Sequence, residues 1–170
     1  MKVYDQKDIS HFFKDEILDV YAIKKEVSNR NVRIDKRPLE RMYAEIVKSS
    51  RNFVDWSQEE ILRNAVLVAV LLVKNGLKTN QIRRILEIAN QTHLKLKTRN
   101  VESIEADTVK MRYLLAYAVA RSSSKERGTE YLHRILDPIL QNTTKDNFEK
   151  FYEFLQAVVA YHKFFGGREE

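Results

Sequence analysis

SQEEILRNAVLVAVLLVKNG, residues 57–76, is the stretch on which the fold turns. Ser57 and Glu60 have the spacing of a capping box, in which each side chain satisfies a backbone N–H of the other at a helix start. Gly76 stands where a helix ends in a left-handed cap. Between them, Ala65–Val73 is an uninterrupted apolar run of nine residues. A membrane span needs about 20, so the run predicts a helix apolar on nearly every side, at the centre of a bundle.

The rest of the chain agrees with that centre. Glycine occurs only at 76, 128, 166 and 167, and proline only at 38 and 138. With so few breakers and abundant Leu, Ala, Lys, Glu and Arg, the 170 residues read as one all-α domain, a compact bundle of five to six helices. No glycine-rich phosphate loop exists. Cysteine is absent, which excludes disulfides, zinc–thiolate sites and a cysteine nucleophile. The polar N-terminus, MKVYDQKDIS, has no apolar signal region, so the protein is expected to be soluble and cytoplasmic, with no membrane contact.

Helical spacing of Ile9, Phe12, Phe13, Ile17, Val20, Tyr21 and Val27 predicts a first helix over about 8–28. A second follows over about 38–50, with Pro38 at the first helical position and Leu39, Met42, Ile46 and Val47 inward. The basic connector NRNVRIDKRP between them reads as a mobile loop. A helix over about 80–93 is capped by Thr79 or Asn80. LKLKTRNVESIE alternates with period two, which predicts an extended piece. Helices over about 106–121, 125–141 and 145–165 complete the chain, and Asp137-Pro138 either kinks the second of these or starts a new turn.

Charge gives the first functional clue. The net charge is +6 and the pI about 9.4, a balance that suits an anionic partner, nucleic acid being the commonest. Arg83 and Arg84 fall at a helix start, where the dipole disfavours cations unless an anion offsets them. They belong to a basic group of Lys78, Arg83, Arg84, Lys95, Lys97, Arg99, Lys110, Arg112 and Arg121. Within 81–99 the only acid is Glu87. Guanidiniums beside a helix N-terminus suit phosphate. Among the aromatics, helical spacing favours core packing for most, and Tyr113, beside Lys110 and Arg112, is the best candidate to stack on a base. The four histidines are scattered without metal-ligand spacing, so neither a metal nor a cofactor is expected.

RGTEYLH, residues 127–133, resembles the Arg-to-His signature of the HEPN ribonucleases, all-α proteins whose His and Arg act on an RNA 2′-hydroxyl. Gly128 departs from it, since that family usually has a polar residue there. This leaves an alternative in which Arg127 and His133 cleave RNA.

Three longer segments carry a second resemblance. LKTNQIRRILE (77–87), VKMRYLLAYAVAR (109–121) and FEKFYEFLQAVVAYHKFFGG (148–167) are similar, in order and spacing, to motifs of the small subunit of type III-A CRISPR (Csm) effector complexes. The resemblance covers roughly residues 76–167 and leaves 1–52 as an N-terminal helical extension before a family-like core at 53–167. It implies a helical, non-catalytic subunit, stacked in several copies as a minor filament. The implied partners are other Csm subunits, CRISPR RNA and single-stranded target RNA. Carried over by residue, it points to Gln81, Arg83 and Arg84 from the first motif and to Lys110, Arg112 and Arg121 from the second. Lys78, Lys95 and Lys97 join on charge alone. Tyr161 and His162 of the third read as packing residues.

Overall fold

A computed structural model describes residues 5–170; the first four residues of the polar N-terminus lie outside it. The segment at 57–76 behaves as its ends dictate. Ser57 Oγ accepts from Glu60 N at 3.1 Å and Glu60 Oε1 accepts from Ser57 N at 3.3 Å, starting α3 at Gln58–Lys74. At its end Gly76 takes φ +75°, Gly76 N donates to Val73 O and Leu77 N to Leu72 O. This is the paired bonding of a Schellman stop. Every residue from Ala65 to Leu72 is buried.

The main neighbours of α3 are α7 (Phe148–Phe164), α6 (Gly128–Gln141) and α2 (Lys36–Ser49). From α7, Phe148, Phe151, Phe154 and Val158 enter the core, and the Trp56 ring meets Phe154 edge-on at 5.3 Å. α5 (Glu105–Arg121) packs on α6 and on α4 (Arg83–Thr98), and α4 also touches α7. The class is all-α as expected, with seven α-helices among the described residues rather than five to six.

The extra element and the shifted boundaries have local causes. The expected first helix is broken. Ser10–Phe13 is a 3₁₀ turn, and α1 is only Val20–Ser28, capped by Asp19, which accepts from Ala22 N. Carbonyls at the edge of the gap and within it are taken by Arg63 of α3, which donates to Phe13 O and Glu16 O at 3.1 and 2.7 Å. Ile17 and Tyr21 therefore leave the apolar face predicted for them and are exposed, at 82% and 74%.

The basic connector is pinned as well. Arg33–Ile34 (β2) pairs in parallel with Gln6–Lys7 (β1), Ile34 is buried, and Asp35 caps α2 two residues ahead of the expected start. Residues 94–98 are helical, not extended: α4 runs on to Thr98, whose Oγ1 donates to Leu94 O. Leu94 is 61% exposed, so the Leu–Lys alternation does not mark a buried face and the i−4 carbonyls hold the backbone. α6 continues through Pro138, with Asn142 Nδ2 bonded to the Pro138 carbonyl one turn on.

Candidate nucleic-acid interface

The start of α4 is built by three separate segments. Residues 79–81 form a 3₁₀ turn in which Gln81 Oε1 accepts from Lys78 N at 2.8 Å. The C-terminal tail lies across this turn: Thr79 N donates to Arg168 O and Asn80 N to Glu169 O, at 3.0 and 2.9 Å. From below, the buried His162 meets Leu77 O through Nε2 at 2.8 Å. Burial holds the His162 imidazole below its ordinary pKa, with the Leu77 carbonyl acting the other way. Neither Thr79 nor Asn80 caps α4 through its side chain, which corrects that expectation; the tail carbonyls instead take the N–H groups of Thr79 and Asn80 at the start of the 3₁₀ turn that leads into α4.

Arg83 and Arg84 emerge from this turn exposed, with no acid in the first turn and no ion pair among the described residues. Across from them lies the last part of α5. Between the two is a groove of about 360 Å³ whose lining includes Asn80, Gln81, Arg84, Leu114, Tyr117 and Arg121. The fold thus brings together Gln81 and Arg84 from the first motif and Arg121 from the second, about 40 residues apart in sequence. Two guanidiniums and no carboxylate line it. Each of four other grooves on the described surface carries at least one Asp or Glu.

The remaining candidates divide into free and engaged cations. Lys78, Lys97 and Lys110 make no ion pair among the described residues, and none of them lines the groove. Lys95 is bridged to Asp107 at 2.7 Å, and the same carboxylate accepts from Thr92. Arg112 is bridged to Asp137 at 2.9 Å. Burial acts to raise Asp137, but its hydrogen bonds from Arg112 and Gln141 hold it below the usual carboxylate range. Both cations tie helices together, Lys95 joining α4 to α5 and Arg112 joining α5 to α6.

Aromatic exposure separates just as clearly. Tyr113 and Tyr117 stand four apart on one face of α5 and are 56% and 58% exposed, but only Tyr117 lines the groove. The Arg121 guanidinium sits over the Tyr117 ring at 5.5 Å. Helical spacing places Tyr117 with the core aromatics and Asn80 as no more than a helix cap, whereas Tyr117 is exposed and both line the groove. The available signal was the Tyr117-to-Arg121 spacing of one helical turn.

Arg127 and His133 do not form a pair. The Arg127 guanidinium is held by Glu130 and lies over the Tyr131 ring, and no hydrogen bond joins it to His133 among the described residues. Tyr131 donates to Glu40 at 2.8 Å, and burial together with that bond pushes its phenol up to about 12. Gly128, the residue that departs from the ribonuclease pattern, lies against the Leu77 backbone.

Residues 55–168 match the family model described as Csm2 Type III-A, a match that spans both helices of the groove and the tail as far as Arg168. The chain belongs to the Csm2 family. It is thereby a small subunit of the type III-A CRISPR (Csm) system. Two curated relatives carry the name "CRISPR system Cms protein Csm2". The one from Enterococcus italicus is 28% identical over 101 residues, covering 56% of this chain and 72% of its own. The one from Streptococcus thermophilus is 26% identical over 93 residues, covering 55% of this chain and 76% of its own. The Csm2 match begins just before α3, so α1, α2 and the small β pair precede it.

Proposed function

We propose that this Csm2-family chain is a non-catalytic, RNA-holding subunit of a cytoplasmic type III-A effector complex. It stacks in several copies beside other Csm subunits and grips the backbone of CRISPR RNA or target RNA. The surface used is the exposed start of α4 with the facing end of α5. Residues 1–52 form an extension ahead of the family-like core. The observation that carries this reading is the acid-free groove in which Arg84, Gln81 and Arg121 converge. Cations there are placed to make phosphate contacts that position a strand without reading its sequence.

The test is binding of labelled single-stranded RNA to the full chain over a range of salt, with magnesium present, followed by a denaturing gel. Each phosphate contact on a single strand steepens the log–log salt dependence by about 0.7. The double variant Arg84→Ala/Arg121→Ala should remove two contacts and flatten the slope by roughly 1.4, with its helical circular dichroism unchanged. An unchanged slope and affinity would refute the assignment of these residues. RNA cut by a clean preparation, and spared by His133→Ala, would refute the non-catalytic reading.

A further inference from the structure

Arg84 and Arg121 account for the groove's charge, but not for its shape or its tyrosine. A surface that only met phosphates would need neither a concavity nor an exposed ring between the cations. Here the Tyr117 ring forms part of the wall, more than half exposed, with the Arg121 guanidinium over one of its faces at 5.5 Å and Arg84 on the facing helix. The volume, about 360 Å³, falls in the range of small-ligand pockets. The Asn80 amide makes no side-chain hydrogen bond among the described residues, and Gln81 uses only its oxygen. Amide donors are thus left at the rim beside the ring.

We propose that this groove is a single-nucleotide subsite. One unpaired base of single-stranded RNA lies against the Tyr117 ring, and Arg84 and Arg121 hold the phosphates on either side of it. This inference rests on the RNA-holding reading above and adds what that reading lacks, a preference for unpaired over paired RNA. A base within an A-form duplex has both faces covered by its neighbours, so it cannot meet the ring. An unstacked base can, and aromatic stacking accepts any base. Tyr113 serves as the internal control, since it is as exposed as Tyr117 and on the same helix face, but lines no part of the groove.

The experiment compares the full chain with Tyr117→Leu, Tyr117→Phe and Tyr113→Leu. The probes are a short single-stranded RNA carrying one 2-aminopurine and the same RNA annealed to its complement. Loss of one base stack corresponds to roughly 5- to 150-fold in affinity. Tyr117→Leu should lose that much on the single strand, keep the salt slope, and abolish the change in 2-aminopurine fluorescence on binding. Tyr117→Phe should retain most of the affinity, Tyr113→Leu should bind as the unaltered chain does, and the duplex should be insensitive to all three. Wild-type affinity and fluorescence in Tyr117→Leu, with salt-dependent binding that still needs Arg84 and Arg121, would overturn the subsite and leave the RNA-holding reading standing. No binding of either RNA at any salt would overturn both.

Discussion

Gly128→Ala sets two physical effects against each other at one atom. Gly128 opens α6 with φ outside the left-handed region, so alanine there carries no backbone strain. Helix propensity alone predicts a gain of up to about 1 kcal/mol. Packing predicts the reverse. A Cβ on residue 128 would stand 2.7 Å from Leu77 Cβ, 2.8 Å from Leu77 N and 2.9 Å from Leu77 Cα. None of these atoms is the free end of a side chain. Leu77 is clamped by its N–H on Leu72 O and its carbonyl on His162, and Gly128 N itself donates to Asn75 O at 3.0 Å. Overpacking a site that cannot yield costs about 1–3 kcal/mol. Three contacts under 3.0 Å, two of them to backbone, put the cost in the upper part of that range, about 2–3 kcal/mol, so packing wins by about 1–2 kcal/mol net. For a chain of this size that is a fall in Tm of about 2–8 °C. Thermal unfolding by far-ultraviolet circular dichroism reads it directly. Gly166→Ala is the comparison, because its Cβ would meet nothing within 4 Å and only its φ of +91° opposes the change. A Gly128→Ala protein as stable as the parent, or more so, would show that α6 is not jammed against the 77–81 turn, and the account of how that turn is held would fail.

Two further outcomes follow from charge state. His162 is held below its ordinary pKa by burial, so the unfolded chain takes up a proton as pH falls through about 6.5 while the folded chain takes it up only at lower pH. Stability contributed by the neutral imidazole is therefore complete above about 6.5 and declines below it, with a limiting slope near 1.4 kcal/mol per pH unit. Urea midpoints measured from pH 8 to 5 should show that decline, and His162→Gln should lessen it. Arg112→Ala removes a cation already paired with Asp137, so single-stranded RNA affinity should stay within about twofold, whereas Arg84→Ala should weaken it. A large affinity loss in Arg112→Ala would mean that the Asp137 pair opens for RNA.

Features governed by near neighbours along the chain were determined by the sequence itself. The capping box at Ser57–Glu60, the glycine stop at 76, the apolar run at 65–73 and the family-like segments around 77–87 and 109–121 each need only residues within a few turns to act. The all-α class and the exposure of Arg83 and Arg84 follow from them. Tertiary contacts decided the rest. The break at 14–19 comes with Arg63, some 47–50 residues distant, donating to the Phe13 carbonyl at its edge and the Glu16 carbonyl within it. The pinned connector depends on a strand at its far end of the N-terminal segment. Which cations are free was equally hidden, because Lys95 is engaged by Asp107 and Arg112 by Asp137, 12 and 25 residues away. The choice of Tyr117 over Tyr113 needed the groove, and the groove exists only once α4 and α5 are packed side by side. A side chain's type and period are local properties, but whether it is paired, buried or left to meet a ligand depends on partners the fold brings from elsewhere.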